Sequence, residues 1–337
     1  MSAPSKPYAT RGLPPPPSVS MRTIPMAGLL VDVYGLDELA SPSIPITCLW
    51  LLHPRTHDRS RMSDIASRTI AAWNAQSSAS AAASRRGLVA LAFDMPNHGT
   101  RLVSEAANHA WDRGNDQHAV DMAGMVKGGT GDMRGLMDLV AGYLHREVDA
   151  HLCLGWSLGG HGAWQAWIGE ERVDAAVVVI GCPDFMDLMT SRAELAKLET
   201  GGSFIGSKYF PQSLVATCLE NDPKGILFGT QPVPKLPLSS SEQSRLREIL
   251  DRRVRGKKLL LCSGGDDKLV PYANGKPVIN VLKDALESGW YKEMSVDDRV
   301  YAGVGHSFGK DMVEDAVRFL VEAVARGPRD KKDRARI

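Results

Sequence analysis

The chain lacks any apolar run long enough to cross a bilayer; its longest candidate is AAVVVIGC (175–182). Its first twenty residues, MSAPSKPYATRGLPPPPSVS, contain no apolar stretch of the kind that forms a secretory signal. It carries no surplus of charge: 40 basic against 39 acidic residues leave a net charge of +1, which gives no electrostatic pull toward nucleic acid or an acidic membrane. Cysteine is sparse. Cys48, Cys153, Cys182, Cys218 and Cys262 include no C-x-x-C pair, and three of them sit inside apolar runs. That pattern predicts reduced, buried thiols and a cytoplasmic protein, not a disulfide framework. Phosphate and dinucleotide signatures are missing too. MVKGGTGD and SGGDDK lack G-K-[ST], and GWSLGGHG is not G-x-G-x-x-G. His53-x-x-x-His57 would need a helix to bring both rings to one metal, and Pro54 directly after an apolar run opposes one. No cofactor and no metal are expected.

What is present is a rhythm. Short runs rich in Val, Leu and Ile recur: ITCLWLLH (46–53), LVALAFD (88–94), AHLCLGWS (150–157), DAAVVVIG (174–181), KLLLCSGG (258–265) and DRVYAGVGH (298–306). They hardly alternate in polarity, as strands covered on both faces do not. Helical segments lie between them, at about 60–84, 133–147, 159–170, 274–288 and 309–326. This predicts an α/β chain with a mostly parallel sheet and helices on both faces. MAGLLVDVYGLDEL (26–39) can add one or two edge strands, antiparallel ones included. Residues 100–132 look too polar and glycine-rich for a plain crossover helix. Residues 183–256 are too long for one connection and predict a cap or lid. They contain the helix-like SRAELAKLE and SSEQSRLREILDRRV, the second opening on the capping-box pattern Ser240-x-x-Gln243. The expected layout is a flexible Pro-rich arm (1–20), a core (21–182 and 257–326), a cap (183–256) and a basic, frayed tail (327–337).

Two pentapeptides fit G-x-S-x-G. Gly155-Trp156-Ser157-Leu158-Gly159 ends an apolar strand and opens a helix-like segment, the setting of a serine nucleophile on a tight turn. Gly305-His306-Ser307-Phe308-Gly309 also follows a strand. Its serine has no histidine after it, and in such sheets acid and base follow the nucleophile in the chain. His306 itself fits the base. Asp266 or Asp267, at the end of the preceding strand, fits the acid. A serine hydroxyl needs a base to take its proton, and the imidazole needs a carboxylate to orient it. The second pentapeptide is therefore a histidine loop that mimics the first by chance.

In these residues the chain resembles the α/β-hydrolase superfamily, over about residues 24–326. GWSLGG is similar to the nucleophile elbow, GGDDKLVP to the acid loop and GVGHSF to the histidine loop. The acid-loop pattern implies Asp267 over Asp266. DMPNHGTR (94–101) and ENDP (220–223) resemble small esterases related to the prolyl oligopeptidase and acyl-aminoacyl peptidase branch. The resemblance implies a serine hydrolase acting on a small-molecule ester through Ser157, Asp267 and His306. A serine peptidase or a noncatalytic binding module of the same fold are the alternatives. The Leu158 N–H would give one oxyanion donor. The family's His-Gly after the first long strand is here His53-Pro54, which places the second donor at Arg55, with Thr56 the alternative. Trp156, Met186 and Met189 are the expected pocket residues. Met122, Met125, Met133, Met137 and Trp111 are candidates for pocket or core, and the pocket is expected to be largely apolar. His98 is expected to pack beneath the site and His161 to lie on a helix face.

Overall fold

The computed structural model describes residues 9–79 and 86–330. Eight strands form one sheet: β1 (Met21–Met26), β2 (Leu29–Tyr34), β3 (Ile46–Leu52), β4 (Gly87–Phe93), β5 (Val148–Trp156), β6 (Val173–Val179), β7 (Lys258–Gly264) and β8 (Ser295–Tyr301). Their order is β1-β2-β4-β3-β5-β6-β7-β8. β1 and β2 form an antiparallel hairpin, β2 runs antiparallel to β4, and the six later strands are parallel. β3, β4 and β6 are buried at every position, which is why their sequences do not alternate.

The crossover from β3 to β4 runs toward β2, and every later one runs the other way. Right-handed crossovers therefore put α1 (Ser63–Ala79) on one face. They put α2 (His118–Leu144), α3 (Leu158–Gly169), α7 (Ser240–Val254) and α8 (Tyr272–Glu287) on the other. The closing helix α9 (Lys310–Arg326) packs beside α1. The reversal between β3 and β5 opens a crevice at the strand C-terminal ends, the usual ligand position in such sheets.

Three sequence expectations change. α2 begins at His118 and continues straight through the glycine-rich GGTGD stretch. A Cβ on Gly128 would lie 2.8 Å from the Pro96 ring, and one on Gly129 would lie 2.8 Å from Met95. Each glycine costs the helix roughly 1 kcal/mol of intrinsic propensity. The close approach of α2 to the loop after β4 outweighs that cost. Second, α7 is capped by Ser239, whose side chain accepts the Glu242 N–H; the capping pair is shifted one residue from Ser240 and Gln243. α7 is also the β6-to-β7 crossover packed on α3. Only α4 (Phe185–Leu195), α5 (Gln212–Asn221) and α6 (Pro223–Phe228) of the 183–256 segment lie outside that role. Third, part of the Pro-rich arm lies against α1. The buried Thr10 hydroxyl donates to Asp64 at 2.7 Å, and Arg68 donates to the Pro14 carbonyl at 2.6 Å. Residues 331–337 of the expected basic tail lie outside the described residues, as do residues 80–84 of the first predicted helix.

Candidate active site

β5 delivers Ser157 at φ 56° and ψ −110°, a conformation that costs a non-glycine residue on the order of 1–3 kcal/mol. The neighbours hold it there. The Ser157 N–H donates to Val179, and the Gly159 N–H donates to the His53 carbonyl. A Cβ on Gly155 would lie 1.8 Å from the Gly159 oxygen, and one on Gly159 would lie 2.0 Å from the Leu52 oxygen. The flanking glycines thus let strand, turn and helix meet main chain to main chain.

The acid and histidine loops are stitched together. Gly265 N–H donates to Tyr301, Asp266 N–H donates to Val304, and a Cβ on Gly264 would lie 2.6 Å from both the Val304 and Gly305 oxygens. This close packing places Asp267 Oδ2 2.8 Å from His306 Nδ1. His306 Nε2 lies 2.8 Å from Ser157 Oγ. Asp267 Oδ1 accepts the N–H groups of Leu269 and Val270. Burial opposes ionisation of Asp267. The hydrogen bond from His306 and the two main-chain N–H groups outweigh it, so the carboxyl is held below its ordinary range. Asp266 is exposed and takes no part in this series, and Ser307 is exposed beside it.

The loop after β3 closes one side. His53 is fully buried. Its Nε2 accepts the Met95 N–H at 2.9 Å, which leaves Nδ1 as the ring's donor, 2.9 Å from the Pro54 carbonyl. Burial pushes this imidazole down to about 4, so the neutral form is the one present near pH 7. In a trans peptide the N–H points opposite to the C=O. With the Pro54 carbonyl turned to His53, the Arg55 N–H is turned away from it. Among the described residues no acceptor takes the N–H of Arg55 or of Leu158. Thr56 sits at φ 65°, with its hydroxyl donating to the Arg55 carbonyl.

The DMPNHGTR stretch supports this loop. The Asp94 carboxylate accepts from Arg59 N–H, Thr100 N–H, the Thr100 hydroxyl and the Arg59 guanidinium. Gly99, at φ 52°, leaves room for that carboxylate, because a Cβ there would lie 2.4 Å from it. His98 is buried and meets His53 edge-on at 5.1 Å between ring centres. His161, in the second turn of α3, is fully packed against Cys182 instead of lying on an open face.

A cavity of about 450 Å³ opens over Ser157 and His306. Pro54, Arg55, Thr56, Trp156 and Leu158 are among the residues that line it. Trp156 lies edge-on to Phe308, with the Arg61 guanidinium 4.9 Å above its ring.

No family model matches the chain, and no curated protein matches it. Solved structures do. TT1662 from Thermus thermophilus superposes with a TM-score of 0.55 at 18% identity, over 91% of this chain and 98% of that one. An S-formylglutathione hydrolase from Agrobacterium tumefaciens superposes with a TM-score of 0.53 at 14% identity, over 91% and 94%. Together with the strand order, these likenesses decide the architecture.

The chain has the α/β-hydrolase fold.

Within this α/β-hydrolase fold, the remaining expected pocket residues lie elsewhere. Met186 and Met189 are 5% and 0% exposed and belong to the core, not to the cavity wall. They lie on the inward face of α4 with Phe185 and Leu188; one turn on, Arg192, Leu195 and Ala196 face the cavity. Met125, Met133 and Met137 are also core, whereas Met122 and Trp111 reach the cavity. The larger part of the cavity wall is apolar, but it also carries a cluster of cations that the sequence did not suggest. Arg55, Arg61, Arg192 and Lys268 line it against a single acidic residue, Asp112. Arg192, His118 and Lys268 went unnoticed in the sequence, because nothing local marks three residues on separate segments as neighbours.

Proposed function

We propose that the protein is a serine hydrolase that cleaves carboxylic esters of small or medium acyl groups. The Ser157–His306–Asp267 hydrogen-bond series beneath the cavity carries this reading. As the ester carbonyl reaches Ser157, His306 Nε2 takes the hydroxyl proton and Oγ attacks the carbonyl carbon. Asp267 holds the imidazole by Nδ1–H and stabilises its charged form. The carbonyl oxygen, now an oxyanion, is met by the Leu158 N–H at the start of α3 and by the Arg55 N–H. The tetrahedral adduct collapses as His306 returns the proton to the alcohol, which leaves. Water then attacks the acyl-enzyme on Ser157 by the same path and releases the acid.

His53 is a positioning residue here. By engaging the Pro54 carbonyl it orients the peptide that ends in the Arg55 N–H. Proline at position 54 gives up one possible donor, and that loss matters little if Arg55 supplies the N–H. The cavity volume and the four cationic side chains in its wall support soluble substrates over lipid droplets.

A fluorophosphonate probe tests the reading. Mass spectrometry should find the adduct on Ser157, and a p-nitrophenyl ester series should favour short acyl chains. No adduct, or an adduct on Ser307, would sink it. A maximum at long chains with activation at an oil–water interface would overturn the substrate size.

A further inference from the structure

Two arginines in the cavity wall, Arg55 and Arg192, make no ion pair with a carboxylate among the described residues. Arg55 comes from the loop after β3 and Arg192 from α4, yet both reach the same side chain. Arg55 Nη1 lies 3.5 Å from His118 Nδ1, and Arg192 Nη1 lies 3.5 Å from His118 Nε2. One imidazole therefore separates two guanidinium groups. Edge-on packing against Trp111, 5.0 Å between centres, fixes the ring between them.

Neutral oxygen and sulfur atoms hold both arginines. Arg55 donates to the Asn108 carbonyl at 2.9 Å. Arg192 donates twice to the Leu269 carbonyl, at 3.2 and 2.7 Å, and once toward Met122 sulfur. These contacts aim the groups without pairing either with a carboxylate; the Asp112 and Asp267 charges act on Arg55 and Arg192 without forming an ion pair with them. Other arginines held in the interior are treated differently. Arg59 meets Asp32 at 3.1 Å and Asp94 at 2.6 Å, and Arg329 meets Asp174 at 2.6 Å. Arg59 and Arg329 thus meet carboxylates directly, and Arg55 and Arg192 do not.

His118 supplies no opposite charge. Burial, then the fields of Arg55 and Arg192, push it down to about 3, so it stays neutral between them. Burial and Arg55 also lower Arg192, to about 10, which still leaves it charged near pH 7. Asp112 is the one acid among the described residues that line the cavity, and it is exposed. Withdrawing like charges from water without a counterion is costly, and a bound anion removes that cost. Four cationic side chains, Arg55, Arg61, Arg192 and Lys268, line the cavity against the one carboxylate of Asp112, so positive charge is in excess there. A bound carboxylate offsets part of that excess, and guanidinium geometry suits a carboxylate.

We propose that Arg55 and Arg192, spaced by His118, form an anion subsite of the Ser157 cavity, and that the ester cleaved there carries a free carboxylate. This inference rests on the hydrolase reading above and narrows it to a substrate class. The carboxylate can lie on the acyl or on the alcohol side of the ester, and each has its own probe.

For the acyl side, mono-p-nitrophenyl adipate is compared with p-nitrophenyl hexanoate, which replaces the carboxylate by a methyl group. For the alcohol side, 4-acetoxybenzoate is compared with 4-acetoxybenzamide. One of the two anionic esters should exceed its neutral partner in kcat/KM by about tenfold or more, mainly through KM, and the preference should shrink as salt is added. Arg192→Gln should abolish the ratio and Arg192→Lys should keep part of it. Thermal melting of both variants shows whether they fold. Arg22→Gln, remote from the cavity, should leave the ratio unchanged. If Ser157 takes the fluorophosphonate while both anionic esters are turned over no better than their neutral partners, the subsite is refuted and the hydrolase reading stands. If Ser157 is not labelled, the hydrolase reading falls. Calorimetric titration of Ser157→Ala with adipate then decides the subsite alone: binding that Arg192→Gln abolishes supports it, and no binding refutes it.

Discussion

Residues 155–159 and 305–309 share the pattern G-x-S-x-G and each follow a strand, yet they are built in opposite ways. In the first, both glycines press against main chain: added Cβ atoms would lie 1.8 and 2.0 Å from carbonyl oxygens. The serine between them takes φ 56° and faces the histidine. In the second, a Cβ on Gly305 would meet nothing nearer than 4.0 Å, and one on Gly309 would meet nothing within 4 Å. Ser307 is exposed, while its neighbour His306 makes the contacts to Asp267 and Ser157. A motif acquires meaning from what crowds its glycines. Where backbone approaches backbone, glycine is required and the serine is forced into strain. Where nothing approaches, the same letters are a loop.

The widest separation between the two is expected in catalysis. Ser157→Ala should lower ester turnover by about 10⁴–10⁶, leaving what binding and the oxyanion donors supply. Ser307→Ala should keep most of the activity, because no base lies after it. Comparable losses in steady-state assays of the two variants would erase the contrast.

Next in size is the acid, which sharpens the comparison by asking which loop His306 answers to. Asp267→Asn should cost ~10³–10⁴ in turnover, since the imidazole loses its orienting charge. Asp266→Asn should cost little, because that side chain is exposed. A severe Asp266 variant beside a mild Asp267 variant would show that the hydrogen-bond series is misread.

The smallest effect is on stability. Gly159→Ala should destabilise the fold by about 4 kcal/mol or more, as the new methyl group meets the Leu52 carbonyl. Gly309→Ala, at the start of α9 with open space around it, should change stability by less than about 1 kcal/mol. Chemical denaturation measures both, and equal midpoints would mean that the elbow glycines are not required by packing.

Much of the fold was readable because buried parallel strands announce themselves as apolar runs: five of the six expected strands lie where their runs do, while the part-exposed β8 starts earlier and shares only residues 298–301 with its run. Residues 118–132 misled because glycine weakens a helix locally, while here it admits a neighbouring loop to α2. Met186 and Met189 misled because apolar residues on a cap helix serve a core as readily as a pocket. The α4 periodicity shows which residues share a face but not which way that face turns.

Sequence by itself determined the strand–helix alternation and the order of serine, acid and histidine, because both are written in local composition and chain order. It also argued against Ser307 as a nucleophile, since in sheets of this kind the base follows the nucleophile in the chain. Tertiary structure alone decided the charge of the cavity. Arg55, His118 and Arg192 come from three elements separated by long stretches of chain, and no local pattern relates them. Only the packing of α4 and the start of α2 against the loop after β3 brings two guanidinium groups to one imidazole.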